Sequence, residues 1–267
     1  MTNTVKSVSQ SPFISFPPGL LTADPIRLPI LAETADWMVL QKPSGIIAIR
    51  RGFGREKEFS INDALLQEWD RGKPQLQQIG LQGIYSVCAP DCDTEGLYLL
   101  AKNADACSNL RRRMGDRKFC FTYRFWSTRV ENEPTSITCD LPLARHRRED
   151  RALVSHRTGK KTSTFFKPLA SLPGAVLWES SSPYDRWHQV RLHAAECGIP
   201  VTGDHLYGAP NEPPPVFRKL LPKALKPPGP MMYQSALLLD GEMTIESPAP
   251  GLWRKLLSAA RKSSPCH

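Results

Sequence analysis

Two segments of the sequence carry side chains that could perform acid–base or nucleophilic chemistry. The first, CAPDCDTEGLYLLAKN, is an acidic turn with Asp91, Asp93 and Glu95 that leads into an apolar run. The second, HQVRLHAAECGIPVTGDHLYG, places Arg191 between two histidines. A guanidinium next to a partly buried carboxylate lowers the carboxylate pKa and keeps that group ionised near neutral pH. The pattern therefore indicates a carboxylate that could act as a nucleophile or a base.

Simpler interpretations of the same residues stay open. The acids could form a solvated turn, Arg191 could be an ordinary surface ion-pair partner, and a histidine near apolar residues is most often a structural group. His188 and His193 are therefore treated as supporting residues. A glycosidase-like hydrolase could use Asp91 and Asp93 as paired acids, although a turn leaves the separation of their carboxyl groups open. Spacing alone does not choose among these chemistries.

Metal sites and membrane segments are not expected. Motifs for nucleotide hydrolysis, dinucleotide binding, serine hydrolysis and zincin chemistry are missing from the sequence. Cys88 and Cys92 form a C-x-x-x-C pair, which differs from the spacing of zinc knuckles. The seven cysteines are an odd number without paired short spacings, which favours free thiols in a reducing compartment. No apolar run reaches the roughly 18 residues of a membrane span, so we predict a cytoplasmic protein.

The composition indicates a globular chain with a polyanionic partner. Of 267 residues, 40% are hydrophobic, which is enough for a buried core. Lysine and arginine number 35 against 26 acidic residues, giving a net charge of +9. This excess favours nucleic acid as the partner, although many soluble proteins are also basic. We expect a flexible arm over residues 1–24 and one catalytic domain over residues 25–267.

The elements around the first segment can be predicted from local patterns. WMVLQ and GIIAI are short β-prone runs separated by Lys-Pro-Ser-Gly, which predicts a hairpin-like pair. Ser60 and Asp63 form a capping box that begins a helix, and Gly72 and Pro74 mark its end. The acidic turn should lie between a strand at YSVC and a strand over residues 97–101, followed by a helix over residues 104–114.

The elements around the second segment are also predicted. FCFTYRFW, STFFKPLA and AVLWESS read as strands, and WHQVRLHAAE as a strand that could pass into a helix after Arg191. Seven prolines between residues 213 and 230 predict a surface insertion at residues 212–230 rather than a packed element. The chain closes with strand-like alternation and a short basic helix.

Taken in order, these segments resemble the RluA-type pseudouridine synthase family. DWMVLQKPSGIIA is similar to its opening strand and Lys-Pro-x-Gly turn, and VCAPDCDTEGLYLLAKN to its H-R-L-D-x-x-T-S-G-L segment. FTYRFW resembles its Lys-x-Tyr strand, and WHQVRLHAAECGIPVTGDHLYG its H-Q-I-R-x-H, G-x-P-x-x-G-D and Tyr-Gly run. The resemblance implies an α+β fold, with a long, mostly antiparallel mixed sheet flanked by helices and a central active-site cleft.

The resemblance also implies a cofactor-free isomerase that converts uridine to pseudouridine in structured ribosomal or transfer RNA. Asp91 falls on the catalytic aspartate, Tyr123 on the tyrosine against the target base, and Arg191 on the arginine that pairs with the aspartate. His188 and Gln189 of the matching run are expected to help bind the substrate. We expect a monomer whose RNA-binding patch draws on these basic residues: Arg111, Arg112, Arg113, Arg147, Arg148, Lys160 and Lys161.

The sequence departs from the family pattern near the aspartate. Where the family has His-Arg-Leu, this chain has Cys88, Ala89 and Pro90, so the arginine that resembles a base-flipping wedge is absent. Glu95 replaces a small residue and Phe121 a lysine. An alternative function is therefore that of an RNA-binding pseudoenzyme with the same fold. If the wedge is missing, Ala89→Arg should speed turnover at duplexed sites.

Overall fold

The chain folds into two compact units, each built from two chain segments. A computed structural model describes residues 12–50, 58–128, 134–210, 212–221 and 229–263. The first unit comprises Met1–Phe119 and Ala236–Ser247, and the second comprises Cys120–Ser235 and Pro248–His267. The sequence predicts one catalytic domain from residue 25 onward. Neither unit is continuous in sequence, so no single cut in the chain separates them.

The described residues contain thirteen strands, six α-helices and a short 3-10 helix at His205–Tyr207. The strands are β1 (Phe13–Phe16), β2 (Ile26–Glu33), β3 (Trp37–Lys42), β4 (Tyr85–Cys88), β5 (Gly96–Ala101), β6 (Phe119–Thr128), β7 (Ile137–Cys139), β8 (Leu143–Arg145), β9 (Ala152–Val154), β10 (Thr164–Leu172), β11 (Ala175–Ser182), β12 (Met232–Leu239) and β13 (Met243–Glu246). The helices are α1 (Ile61–Asp70), α2 (Pro74–Gln78), α3 (Ala104–Gly115), α4 (Gln189–Glu196), α5 (Pro215–Leu220) and α6 (Trp253–Ser263). The predicted α+β class with antiparallel sheets is confirmed.

The first unit is built on a five-stranded sheet in the order β1-β2-β3-β5-β4. Its described pairings are antiparallel. Strand β1 corrects the expectation of a flexible arm for residues 13–16. Phe13, Ile14, Ser15 and Phe16 alternate across the strand, and Ile14 and Phe16 are buried in the core. Two buried apolar side chains and pairing with β2 give this segment enough contacts to fold. Residues 1–11 lie outside the described part of the chain.

The predicted hairpin of WMVLQ and GIIAI is wrong. Strand β3 pairs with β2 and β5, and residues 45–49 form no strand. The carbonyl groups of Ile47 and Ala48 instead accept hydrogen bonds from the backbone N–H groups of Ile61 and Asn62 at the start of α1. The apolar side chains of GIIAI pack into the core next to that helix. The apolar character of GIIAI thus reflects burial in the core and does not indicate a strand.

Helix α1 begins as the sequence predicts. The Ser60 side chain accepts from the Asp63 backbone N–H, and the Asp63 carboxylate accepts from the Ser60 backbone N–H at 2.8 Å. Helix α2 starts at Pro74, so the predicted end of α1 is also confirmed. The strand, turn, strand and helix around the acidic turn are observed as β4, β5 and α3.

In the second unit, β12, β6, β11, β10 and β7 follow one another in a sheet. Strands β8 and β9 form a separate two-stranded hairpin. Strand β12 begins in this unit and ends in the first unit, where residues 236–239 pair with β13. Residues 189–194 of α4 are all buried, although the sequence predicted a strand as far as Arg191. Because these six consecutive residues are buried, this part of α4 has no polar face, and its sequence lacks the amphipathic pattern that indicates a helix.

Part of the proline-rich segment is packed rather than exposed. Helix α5 starts with Pro215 at its first position, which a helix accepts because that N–H has no intrahelical partner. Phe217 is buried, and its ring packs edge-on against Trp126 at a centroid distance of 5.6 Å. The expectation that this segment holds no packed element is therefore wrong for residues 215–221. Residues 211 and 222–228 lie outside the described part of the chain.

Candidate active site

The first part of the candidate site is the acidic turn of the first unit. It joins β4, which ends at Cys88, to β5, which starts at Gly96. The backbone N–H of Thr94 donates to the carbonyl of Asp91 at 3.0 Å, which closes the turn. Asp91 itself is half-buried. We call residues 91–95 the Asp91 turn.

A lysine that the sequence did not single out holds this turn. Lys42, the last residue of β3, is fully buried. Its ammonium donates to the carbonyl oxygens of Pro43, Cys92 and Thr94 at 2.8, 2.9 and 2.9 Å. An ammonium has three donors and no acceptor, so three carbonyls satisfy it fully. Lys42 therefore ties the Asp91 turn to the end of the neighbouring strand.

The Lys-Pro-Ser-Gly sequence adds two more hydrogen bonds to the same turn. The backbone N–H of Gly45 donates to the Cys92 carbonyl at 2.9 Å, and the Ser44 hydroxyl donates to the Asp93 carbonyl at 2.8 Å. Gly45 has a φ of +82°, a left-handed conformation that glycine adopts without strain. The Lys-Pro-Ser-Gly turn is therefore hydrogen-bonded directly to the Asp91 turn.

Burial determines the electrostatics beneath the turn. It lowers the pKa of Lys42 from its ordinary 10.5 to about 8, although electrostatic interactions with Cys92, Asp91, Asp93 and Glu95 act in the opposite direction. Burial also raises the pKa of Glu95, against a hydrogen bond from Gln41 and the charge of Lys42. The Gln41 amide donates to the Glu95 carboxylate at 2.8 Å. Glu95, which stands where the family has a small residue, is thus bound by Gln41 of β3 and lies near the buried ammonium of Lys42.

The second part of the candidate site is Arg191, on α4 of the second unit. Its Nε and Nη2 atoms donate to the two carboxylate oxygens of Asp204 at 2.5 and 2.7 Å. Arg191 is 4% exposed and Asp204 is 1% exposed. The family resemblance implies Asp91 as the carboxylate partner of Arg191, and the sequence analysis does not predict the contact with Asp204. The Gly-Asp pair of GIPVTGDHLYG, which belongs to the matching run, is the sequence signal for Asp204.

His188 holds another edge of the guanidinium. Arg191 Nη1 lies 3.0 Å from His188 Nε2, and an arginine can only donate. His188 Nε2 must therefore be an unprotonated acceptor, so the Nδ1 atom carries the hydrogen and donates to the Tyr207 hydroxyl at 2.8 Å. The backbone of His188 has a φ of +56°, a left-handed conformation that few residues other than glycine adopt. A strained backbone at this position is typical of a functional site.

Gln189 and His193 are bonded inside the second unit. The Gln189 amide donates to the hydroxyls of Thr164 and Ser182, each at 2.8 Å, and the side chain is 4% exposed. The ring of His193 bonds to the Thr164 hydroxyl and the Leu141 carbonyl, both at 2.9 Å. His193 is thus the supporting group that the sequence indicates. The substrate-binding role of Gln189 stays a prediction, and its amide already orders the start of α4.

Tyr123 lies on β6, where it is paired with Ser180 of β11. Phe121, Tyr123 and Phe125 point to one face of the strand, and all three are buried. Tyr123 retains 8% exposure, more than either phenylalanine. Since Asp91 belongs to the first unit and Tyr123 and Arg191 to the second, the predicted pairing of Asp91 with Arg191 joins the units and stays a prediction.

The predicted RNA-binding residues are also divided between the units. Arg111 and Arg112 are exposed on α3, while Arg113 is paired with Asp240. In the second unit, Arg147 and Arg148 are exposed beyond the end of β8, and Lys160 and Lys161 are exposed before β10. All except Arg113 are therefore accessible to a phosphate backbone, and their role as a patch stays a prediction.

Among the residues that the structure describes, no group of three or more histidine, cysteine or acidic side chains is arranged to hold a metal ion. No helix in the same ranges combines the length and apolar character that crossing a membrane requires.

Comparison with known proteins gives the chain a family. The sequence profile of the family described as RNA pseudouridylate synthase matches residues 36–196, which is more than half of the chain and includes Asp91, Tyr123 and Arg191. The chain belongs to the RNA pseudouridylate synthase family. The resemblance drawn from its motifs is thereby confirmed.

Curated relatives of this pseudouridylate synthase family member carry related names. It is 28% identical to ribosomal large subunit pseudouridine synthase D of Haemophilus influenzae over 72% of this chain and 56% of that protein. It is 32% identical to the protein of the same name from Zymomonas mobilis over 68% of this chain and 56% of that protein. The match to the Pseudomonas aeruginosa protein is 27% identical and covers 91% of this chain and 75% of that protein. The chain spans little more than half the length of the first two relatives.

Solved structures support the fold. The human RNA pseudouridylate synthase domain containing 4 aligns with a TM-score of 0.66 and 19% identity, covering 87% of this chain and 92% of the other. The human RNA pseudouridylate synthase domain containing 1 aligns with a TM-score of 0.59 and 20% identity, covering 89% and 96%. The predicted pseudouridine synthase fold is confirmed.

One departure of this family member from the RluA-type pattern now has a structural context. Ala89 is 6% exposed and belongs to the hydrophobic core of the first unit, with residues such as Leu40 and Leu100. An arginine built at this position would place its stem in that core. The expectation that Ala89→Arg restores a wedge therefore conflicts with the packing, since a buried unpaired charge is strongly destabilising.

Proposed function

We propose that this protein isomerises uridine to pseudouridine in RNA. The observation that carries the proposal is the anchoring of the Asp91 turn by Lys42. This fully buried lysine binds the carbonyl groups of Cys92 and Thr94 in the turn and of Pro43 beside it. A solvated turn would not need a fully buried ammonium to bind its carbonyl groups. In a chain that matches the RNA pseudouridylate synthase family across this turn, the simplest purpose is to fix the carboxylate of Asp91.

The proposed reaction needs only groups that the chain itself supplies. The bond between ribose C1′ and uracil N1 breaks, the retained uracil turns, and C1′ bonds to C5. C5 then gives up its hydrogen as a proton and N1 takes up a proton, so that the product is an isomer of uridine. Asp91 acts as the nucleophile or base, and Tyr123 stacks on the uracil and excludes water that would hydrolyse the sugar intermediate. Arg191 offers a guanidinium to the carboxylate. The isomerisation changes no oxidation state, so we assign no cofactor.

We propose ribosomal RNA as the substrate, with transfer RNA as the second choice. The curated relatives are named for the large ribosomal subunit. The target uracil must leave its stack at a cost of about a few kcal/mol, which is least in loops and single strands. The exposed basic side chains of α3 and of the β8–β9 hairpin would meet backbone phosphates. We further propose that the protein acts as a monomer in the cytoplasm, where this RNA is found.

An RNA-binding protein without turnover is the second candidate. The observation in its favour is Ala89, whose short buried side chain can neither stack on a base nor donate to one. The Asp91 turn argues against it, because a protein that only binds RNA gains nothing from a buried lysine beneath a fixed aspartate. We therefore place the isomerase first.

A direct experiment separates the two. Ribosomal and transfer RNA from a strain lacking the protein are incubated with the wild type, and new pseudouridines are mapped chemically. Asp91→Asn keeps the shape of the side chain and is expected to abolish them. Asp93→Asn, two residues along the same turn, is the matched control and should retain activity. It would also reveal a mechanism with paired acids, which requires both carboxylates.

Each outcome has a defined meaning. New pseudouridines with the wild type and none with Asp91→Asn support the isomerase. RNA binding by the wild type without any new pseudouridine supports the binding protein. Equal activity of wild type and Asp91→Asn would contradict the role given to this residue.

A further inference from the structure

The guanidinium of Arg191 is held on several sides within the second unit. Asp204 accepts from Nε and Nη2, and His188 accepts from Nη1. The ring of Tyr207 lies beneath the guanidinium, with 5.2 Å from the Arg191 Cζ atom to the ring centroid. A planar group with directional contacts along two edges and an aromatic face below it has little rotational freedom. Its orientation is therefore set by its neighbours and not by its own flexible stem.

Asp204 is itself firmly placed. Its backbone N–H donates to the Val201 carbonyl, and its carbonyl accepts from the N–H groups of Tyr207 and Ala209. The carboxylate is 1% exposed, so it was desolvated to meet Arg191. A buried ion pair of this kind contributes little net stability compared with apolar side chains of similar volume. Its presence is better explained by the geometry that it imposes on Arg191.

Tyr207 connects the other edge of Arg191 to a separate element. Its hydroxyl accepts from His188 Nδ1 at 2.8 Å and from the Ala152 backbone N–H at 2.7 Å. Ala152 is the first residue of β9. His188 is also stacked on Trp187, at a ring centroid distance of 4.1 Å. Tyr207 thus fixes the histidine that binds Arg191 Nη1, using the β8–β9 hairpin as its anchor.

We propose that Asp204 and Tyr207 are positioning residues for Arg191 in the isomerisation reaction. Asp204 acts directly on the Nε edge, and Tyr207 acts on the Nη1 edge through His188. Neither touches the substrate. The inference rests on the proposed function and adds two residues to it. Arg191 can meet a carboxylate or phosphate in one orientation only while both residues are in place.

The sharpest variant is Tyr207→Phe, because it removes one hydroxyl and leaves the ring beneath Arg191. His188 then loses its Nδ1 partner and the guanidinium its fixed acceptor. A misplacement of about 1 Å lowers the rate of an enzymatic step by up to about 100-fold. We expect a single-turnover rate about 10- to 100-fold below wild type, with the dissociation constant for RNA unchanged.

Tyr98→Phe is the matched control. Tyr98 is a fully buried tyrosine of the first unit whose hydroxyl bonds to Ser86 and Asn62. Its removal should lower the melting temperature as much as Tyr207→Phe does, without lowering the rate at a temperature where both variants are folded. A loss of stability alone is thereby separated from a loss of positioning.

Asp204→Asn tests the other edge. One carboxylate oxygen becomes an amide NH₂ that faces an arginine donor, so the bidentate contact is lost with little change in volume. We expect a lower rate at saturating protein and little change in RNA affinity. If this variant fails to fold, the Tyr207→Phe measurement decides the proposal.

The outcomes separate the inference from the function on which it rests. If the wild type forms no pseudouridine, both are overturned. If the wild type is active and folded Tyr207→Phe or Asp204→Asn reacts at the wild-type rate, only the positioning role is overturned. A rate loss confined to the two positioning variants, with wild-type RNA binding, supports it.

Discussion

The buried ammonium of Lys42 leads to a prediction in which stability and activity respond differently. Lys42→Met removes the charge and the three donors and keeps the volume of the side chain. The carbonyls of Pro43 and Thr94 then lose this donor, while that of Cys92 keeps the Gly45 N–H. An unsatisfied buried carbonyl costs about 1–3 kcal/mol.

The opposing contribution follows from the pKa of Lys42. Burial lowers it from 10.5 to about 8, a separation of about 2.5 units. At about 1.4 kcal/mol per unit, keeping the buried lysine charged at neutral pH costs about 3 kcal/mol, and Lys42→Met removes that cost. The two contributions are similar in size. We therefore expect the free energy of unfolding at pH 7 to change by less than about 2 kcal/mol.

The pH dependence has a defined sign. Between the folded pKa of about 8 and the unfolded pKa of 10.5, the unfolded chain binds more protons at Lys42 than the folded chain does. The unfolding free energy of the wild type must therefore rise with pH relative to Lys42→Met, by about 2 kcal/mol between pH 7 and pH 10. Urea unfolding of both proteins across this range measures the difference. If the difference in unfolding free energy between wild type and Lys42→Met stays constant or falls with pH, the pKa of Lys42 is not lowered in the folded protein.

The activity of Lys42→Met should fall although its stability hardly changes. Without the ammonium, the Asp91 turn loses two hydrogen bonds, at the carbonyls of Cys92 and Thr94, and the cation beneath it. We therefore expect a pseudouridine-forming rate at least about 10-fold lower. Lys102→Met is the matched control. Lys102 is buried in the same unit, but its ammonium bonds to Glu33 and the Ile79 carbonyl, away from the turn. Equal activity of the two variants would contradict the role of Lys42.

Three further predictions concern other parts of the chain. Ser60→Ala removes the N-cap of α1 and should lower the free energy of unfolding by about 1 kcal/mol, measured by urea unfolding, without changing RNA affinity. Ala89→Arg places a charge in the apolar core and should lower the melting temperature sharply without raising the rate on duplexed RNA; faster turnover in a stable variant would contradict the packing argument. Arg147→Gln with Arg148→Gln should weaken RNA binding and reduce the salt dependence of the binding constant by up to about two phosphate contacts. If the salt dependence of RNA binding is unchanged in this variant, the β8–β9 hairpin does not contact the RNA backbone.

Local patterns predicted most elements because local contacts determine them. The capping box of Ser60 and Asp63 fixes the start of α1 whatever surrounds it. The alternation in FCFTYRFW predicts β6 because one face of that strand is buried. Where an apolar run packs without a period, the patterns failed. The pattern of GIIAI predicts a strand, but the segment packs in the core beside α1. The pattern before Arg191 also predicts a strand, but residues 189–194 belong to α4 and are all buried.

Motif resemblance alone predicts the residues of the candidate site. Asp91, Tyr123 and Arg191 stay predictions of this kind, since spacing leaves a solvated turn and a surface pair open. The two residues that hold these groups were not predicted. Lys42 stood in a segment that read as a turn, and Asp204 lies 13 residues beyond Arg191. Contacts between residues that are distant in sequence depend on the tertiary fold. Local sequence patterns do not reveal such contacts.

The central claim is that Asp91 drives the exchange of a carbon–nitrogen bond for a carbon–carbon bond in uridine. Joining C1′ to C5 expels the hydrogen of C5, so RNA labelled with tritium at uracil C5 reports the reaction directly. The wild type should release tritium to water in proportion to the pseudouridine formed, and Asp91→Asn should release none while binding the same RNA. Release at the wild-type rate by Asp91→Asn, or none by a wild type that binds the RNA tightly, would contradict the account.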